Sequence, residues 1–300
     1  MNAISPRQLE VFTAIATTGS VRAAAEAVHL TQPAASMAMS ELERLLGRRL
    51  FDRVGRRLVL NDRGMELLPR AQEVLERLRD LPRYVSGARR ALHGELRIGA
   101  SNTVGNYLVG DLLGGFVRAH ADVAVHLAIA NTEAIVADVR RFAVDVGCVE
   151  GGVAHAGIDM LPWREDRLVV CTRPDHPLAR RRRLAVRNFH DVRWILRERG
   201  SATRALAERA LSRLPPPGGV LELGQSEAIK QAVIAGLGVA CVPEVAIVDA
   251  LAAKKIRVLR TPFLDLRRRL SLVVQHERWR GPVLSAFLES VQRPISSNRK

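Results

Sequence analysis

The sequence has only three cysteines in 300 residues, Cys148, Cys171 and Cys241. They are far apart and odd in number, and none sits in a Cys-x-x-Cys pair or beside a histidine, so no metal-ligand set is formed. A reduced, cytoplasmic setting follows, with the thiols expected as small buried strand residues of no assigned function. Residues 1–20 carry Arg7 and Glu10 and lack the apolar core of a secretory signal. No 18-residue apolar run follows, which argues against a membrane span. Catalytic signatures are also missing: there is no Gly-x-Ser-x-Gly elbow, no His-Glu-x-x-His, no phosphate-binding Gly-Lys-Ser/Thr loop and no Gly-x-Gly-x-x-Gly after a strand. The histidines are scattered without ligand spacing. No enzyme, cofactor or metal site is expected. Negative charge is in deficit, with 31 acidic against 46 basic residues and a net charge of +15. That balance favours a polyanionic partner, because neutralised phosphates release condensed counterions.

The first sixty residues are organised as three short helices. Ser5-Pro6-Arg7-Gln8 has the residue types of a capping box with proline at the first helical position. Leu9, Phe12 and Ile15 follow at helical spacing, and Thr17-Thr18-Gly19 ends the run. Ser20 can cap a second helix whose face carries Val21, Ala24, Ala25 and Val28, and Thr31 can cap a third that runs to Leu46 before Gly47. In that third helix Ala35, Met39, Leu42, Leu45 and Leu46 point inward, which turns Gln32, Pro33, Ser36, Met37 and Ser40 outward. A tight turn between the second and third helices makes a helix-turn-helix, with Gln32 and Ser36 best placed to read base edges in a major groove. Leu50, Leu58 and Leu60 alternate around a Val54-Gly55 turn as in a two-stranded wing. Arg53, Arg56 and Arg57 then face a phosphate backbone.

From Asp62 to Leu92 the residues Leu67, Ala71, Val74, Leu78, Leu81, Val85, Ala88 and Leu92 keep 4-3 spacing, the seam of a coiled coil. Pro69 and Pro82 lie inside it, so a bent or interrupted helix is expected. After His93-Gly94 short apolar runs alternate with helical periods, an α/β pattern with mostly parallel strands. Ligands in such sheets sit beyond the carboxyl ends of strands. Hydroxyls, amides and charges gather at those ends: Ser101, Asn102, Thr103, Asn131, Thr132, Glu150, Arg197, Ser201, Thr203, Arg204, Ser226 and Glu227. Ser101, Thr132, Ser201 and Ser226 also precede helical stretches and would cap them with or without a ligand. Two arginines beside a Ser/Thr-rich turn suit a carboxylate, sulfur oxyanion or phosphate. The run Arg180–Arg183 is most simply a solvated loop.

The segment SVRAAAEAVHLTQPAASMAMSELERLLGRRLFDR resembles the helix-turn-helix of LysR-type transcription regulators. Met37 stands where many relatives carry Arg or Lys, and Asn61 replaces the usual Thr before the linker helix. GELRIGAS, VDVGCVEG, DHPLA, WILRERGSATR and QSEAIKQAVIAGLGVACVP resemble the effector domain of the same family, so the likeness covers about residues 3–292. It implies an α plus α/β protein: a winged helix-turn-helix (1–61), a linker and dimerisation helix (62–93), and a two-lobed effector domain hinged like a periplasmic binding protein (94–292). Lobe I would be 94–161 with 269–292, lobe II 162–268, and 293–300 a flexible tail. The RERGSATR and QSEAIK versions look closest to the branch of sulfur-metabolism and carbon-fixation regulators. The resemblance further implies a homodimer or homotetramer on double-stranded promoter DNA, a small and anionic effector between the lobes, and RNA polymerase as partner. Ser101, Thr103, Thr132, Arg197, Ser201, Thr203 and Ser226 would line the effector cleft.

Overall fold

A computed structural model describes residues 3–55, 57–85, 91–152, 155–276 and 278–292. Arg56 of the wing, Ala88 of the seam and the 293–300 tail lie outside the described residues. Helix α1 (Pro6–Thr18) starts as the sequence dictates: Ser5 Oγ accepts from Gln8 N at 3.3 Å while Gln8 Oε1 accepts from Ser5 N at 2.7 Å. Gly19 ends it at φ +69°, a left-handed position that a residue without Cβ occupies freely. Ser20 caps α2 (Val21–Ala27) and Thr31 caps α3 (Gln32–Leu46), each accepting from the residue three positions on. Phe12, Ile15, Ala24, Ala35 and Leu42 are wholly shielded in the core that these helices share. Strands β1 (Phe51–Val54) and β2 (Arg57–Leu60) pair antiparallel as the wing, tied to the α1–α2 turn by Leu58 N donating to Gly19 O at 2.9 Å.

Helix α4 (Asp62–Val85) is one continuous element through both prolines, so of the two expectations, a bend or an interruption, the interruption does not occur. Each proline removes a single backbone donor. At Pro69 the carbonyl that loses its partner belongs to Met65, an exposed residue open to water. Asn61 serves at the helix start, its Oδ1 accepting from Gly64 N at 3.0 Å. The expected seam is divided. Ala71, with Leu68 and Leu75, is buried in the head's core and Leu67 packs beside it, whereas Val74, Leu78 and Leu81 are exposed.

The rest of the chain builds one sheet from β3 (Gly94–Ser101), β4 (Val123–Ala130), β5 (Val146–Glu150), β6 (Ile158–Thr172), β7 (Arg193–Arg197), β8 (Gly219–Leu223), β9 (Val239–Pro243), β10 (Arg257–Leu259) and β11 (Arg267–Gln275), in the order β4-β3-β5-β11-β6-β9-β7-β8 with β10 beside β6. Helices α5 (Asn102–Tyr107), α6 (Val109–Ala119), α7 (Thr132–Arg140), α8 (Ala202–Leu211), α9 (Ser226–Ile234), α10 (Val248–Ala252) and α11 (Pro282–Gln292) cover it. Parallel pairing holds within β4-β3-β5 and within β9-β7-β8. Every pairing of the long strands β6 and β11 is antiparallel, which corrects the expectation of a mostly parallel sheet. Their length is the reason: both strands run from one parallel trio to the other. The mutual register of β6 and β11 shifts between Leu270 and Ser271, a bulge at the crossing. Two parallel trios facing each other across two shared strands make a two-lobed sensor with a cleft between.

Candidate DNA-binding head and effector cleft

On α3 the period of 3.6 residues buries Ala35, Met39 and Leu42 and leaves Thr31, Gln32, Pro33, Ser36, Met37 and Ser40 exposed, Met37 at 73%. Ser20 is half-buried and committed to its cap. Arg53 and Arg57 are exposed on the wing. One convex face thus offers amide, hydroxyl and thioether groups along a helix and guanidinium groups beside it, the layout of a major-groove reader with backbone clamps.

In the sensor, the parallel trios bring strand carboxyl ends together. Ser101 ends β3, Glu150 ends β5 and Arg197 ends β7, all buried. A cavity of about 400 Å³ lies between the lobes, lined on one side by Thr132, Val136 and Glu150 and on the other by Ser201, Ala202 and Arg204, with Arg268 at its base. Ser101, Thr103 and Thr203 are buried without reaching this cavity's wall.

Arg268 was not singled out in the sequence. Its side chain is 3% exposed, and it gathers the expected residues around itself. Nε donates to Asp166 Oδ2 at 2.6 Å, Nη1 to Thr203 Oγ1 at 2.9 Å and Nη2 to Thr103 Oγ1 at 3.2 Å, with Glu150 Oε1 at 3.8 Å. One guanidinium therefore joins both lobes. The three consecutive arginines carry no sequence signal that separates it; only strand alternation in β11 turns Arg268 inward and its two neighbours outward. Burial acts to raise the Glu150 carboxyl, but the Arg268 charge and the Thr103 and Thr132 hydroxyls overcome it and hold the group below the usual carboxylate range. Thr132 Oγ1 donates to Glu150 Oε2 at 3.0 Å.

The other arginines also have carboxylate partners. Arg197 is 2% exposed and grips Glu198 with Nε and Nη2, both at 2.7 Å, while Nη1 reaches Ser226 Oγ at 3.4 Å. Arg204 donates to Arg197 O at 2.6 Å and pairs with Glu208 and Glu222. Glu227 is exposed, accepts from Tyr107 Oη across the lobes at 3.4 Å and pairs with Lys230. Asn102 donates to Ala130 O at 3.2 Å. Asn131 caps α7, so Thr132 is the first helical residue rather than the cap, and Ser226 likewise opens α9 as its first residue. Of the four hydroxyls read as caps only Ser201 makes that bond. Ser101 precedes α5 but makes no capping bond, and its buried hydroxyl instead faces the Glu150 carboxyl and helps hold it down.

Two family models match the chain: "Bacterial regulatory helix-turn-helix protein, lysR family" over residues 6–65 and "LysR substrate binding domain" over residues 89–294. The chain belongs to the LysR family of transcription regulators. It is 37% identical over 287 residues to the HTH-type transcriptional regulator YeiE of Escherichia coli K12, covering 95% of this chain and 96% of that one. It is 32% identical to the RuBisCO operon transcriptional regulator of Allochromatium vinosum, over 96% and 95% of the two chains. Among solved structures, full-length OxyR of Pseudomonas aeruginosa superposes with a TM-score of 0.76 over 98% of this chain and 96% of that chain, at 22% identity, a likeness of fold. The regulatory domain of CcmR from Synechocystis PCC6803, solved in complex with 2-PG, matches 68% of this chain and 99% of that chain at 26% identity and TM-score 0.62. The two sequence relatives are transcriptional regulators, the class that the missing catalytic motifs favour. No helix among the described residues is long and apolar enough to cross a membrane.

Two outcomes follow for this LysR regulator. All three cysteines are buried and free, burial pushes the Cys241 thiol up to about 12, and it drives Cys148 and Cys171 strongly upward too. A thiol reagent at pH 8 is therefore expected to label none of them in the native protein and all three after denaturation; rapid native labelling of any one would contradict the buried assignment. Glu150, with its carboxyl depressed in the fold, contributes stability that is present above its unfolded value, about 4.3, and is lost as pH falls through the lower folded value. Glu150→Gln is thus expected to flatten the loss of urea resistance between about pH 4.5 and the acid limit of folding. An unchanged slope would show that the pairing with Arg268 and Thr132 does not hold in solution.

Proposed function

We propose that this regulator binds promoter DNA through Gln32, Pro33, Ser36, Met37 and Ser40 on α3, Ser20 and Thr31 at the helix starts and the wing arginines, under the control of a small anion held between the lobes. Thr132, Glu150, Ser201, Arg204 and Arg268 line the effector site, with Ser101, Asn102, Thr103, Asn131, Arg197, Thr203, Ser226 and Glu227 around it. The observation that carries the effector class is the wall of the inter-lobe cavity, where the Thr132 and Ser201 hydroxyls face the space together with the guanidinium groups of Arg204 and Arg268, donors suited to an anion. Because Arg268 is already shared by Asp166 and Glu150, the anion competes with an internal carboxylate, and its binding repartitions the bonds that join the lobes. A ligand moves an equilibrium only by its differential affinity for two states, and this exchange supplies the difference. The 2-PG complex of CcmR supports the same class.

The exposed Val74, Leu78 and Leu81 of α4 keep the 4-3 spacing that a second copy of α4 would cover, giving a homodimer that pairs two heads and assembles to a tetramer. The output is altered DNA bending and recruitment of RNA polymerase. Calorimetry of the full chain with sulfate, sulfite, phosphorylated sugars and 2-PG tests the effector class. Binding of one of these anions that Thr132→Val abolishes or strongly weakens is expected. Binding of neutral or cationic metabolites alone would overturn it.

A further inference from the structure

The sensor contributes a residue to the core of the DNA-binding head. Phe142, 96 residues beyond the end of α3 in the chain, is 5% exposed and belongs to the same apolar cluster as Phe12, Ile15, Leu68 and Leu75. It follows α7, where Ala143 N donates to Asp138 O at 2.9 Å and Phe142 N to Val139 O at 3.1 Å. These two bonds are those of a Schellman ending, in which the left-handed position normally falls to glycine. Here Phe142 takes it, at φ +58°. Glycine would be free of strain at that position, so the ring is there for what it packs against.

The other end of α7 lies in the effector cleft. Thr132, its first residue, donates to Glu150, and Glu133 N donates to Gly200 O of the facing lobe at 3.1 Å. The helix between them is nine residues long, about 14 Å. Between them the helix is clamped to the sheet: a Cβ at Gly147 would meet Val273 Cγ2 at 2.6 Å and Ile135 Cγ2 at 2.9 Å, and one at Gly99 would meet Ile135 at 3.0 Å. A helix seated this closely moves with its sheet as one body. Beside Phe142, a second connection joins sensor to linker helix. Arg278, its side chain 7% exposed, donates from Nη2 to Glu76 Oε1 on α4 at 3.1 Å and to Asp145 Oδ1 at 2.6 Å.

We propose that Phe142 is a positioning residue for DNA binding: α7 carries displacement of the effector cleft to the head within one chain, by moving a ring that completes the head's core. This coupling rests on the inter-lobe cleft being the effector site, but it can be tested without DNA or effector, so the two readings fail separately. Hydrogen exchange of the α1 backbone is measured in the full-length protein after two perturbations at the cleft end. Gly200→Ala sets a methyl against Glu133, whose Oε2 would lie 2.7 Å from it, and Thr132→Val removes the bond to Glu150. Each is expected to change α1 exchange by about five-fold or more, since local opening reports local packing. In a Phe142→Ala background the cleft substitutions are expected to leave α1 exchange where Phe142→Ala alone puts it, and Phe142→Leu is expected to restore the response in part. No change in α1 exchange with either cleft substitution, or the same change with and without Phe142, would overturn the proposal. A role in head stability alone would give the second of these results.

Discussion

Arg268→Ala is expected to destabilise the sensor by about 3–5 kcal/mol, measured by urea unfolding at pH 7, because it strands two buried carboxylates. Asp166 and Glu150 are 10% and 3% exposed in their side chains, and both face the guanidinium that would be removed. The double variant Arg268→Ala with Glu150→Gln is expected to recover part of the loss, since it removes one stranded charge while keeping a group that can accept from Thr132. Arg268→Lys is expected to behave much more like the alanine variant than like the parent. A single ammonium does not span Asp166, Thr203 and Thr103, which the planar fork reaches from three nitrogens at 2.6–3.2 Å. A cost below about 1 kcal/mol for Arg268→Ala would mean that water reaches the carboxylates and that the lobes are not joined through this residue.

At the head, Gln32→Ala is expected to cost about 1–3 kcal/mol of discrimination at one base position while leaving weak binding to unrelated DNA nearly unchanged. The pair Arg53→Ala and Arg57→Ala is expected to act in the opposite way, weakening all sequences alike and lowering the slope of log affinity against log salt by about 2 per head, about 4 for a homodimer, one counterion per lost phosphate contact. Gln32 and the two arginines are exposed and outside the core, so thermal stability should not move. Competition binding against operator variants at several salt concentrations separates the two effects. A uniform loss from Gln32→Ala would place α3 on the phosphate backbone instead of the base edges.

The head was legible in the sequence because its information is local. Ser5, Ser20, Thr31, Gly19 and Gly47 each act within four residues of their own position, and every one does in the structure what its residue type calls for. The strand-end hydroxyls were legible for the same reason, since a parallel strand delivers its last residue to one edge of the sheet. What the sequence hid was non-local. Arg268 stands among three consecutive arginines that read as surface charge, and only the pairing of β11 with β6 sets its side chain opposite Asp166. The carboxylate partners of Arg197 and Arg204 were equally hidden, though Glu198 is the next residue in the chain. Phe142 stood in a stretch where helical and strand periods both fail, and its burial depends on the head, far away in sequence. The apolar stripe of α4 was read as one seam because spacing does not distinguish a stripe that meets a partner from one that meets its own domain. The structure gives Ala71 to the head and leaves Val74, Leu78 and Leu81 outside.

Footprinting of the purified full-length protein on the promoter region beside its own gene, with and without sulfite, sulfate, 2-PG and phosphorylated sugars, tests the central claim most directly. The account predicts an extended protected region with dyad character, whose length or internal cleavage pattern changes with one of these anions. Absence of any sequence-specific protection at low salt would contradict it.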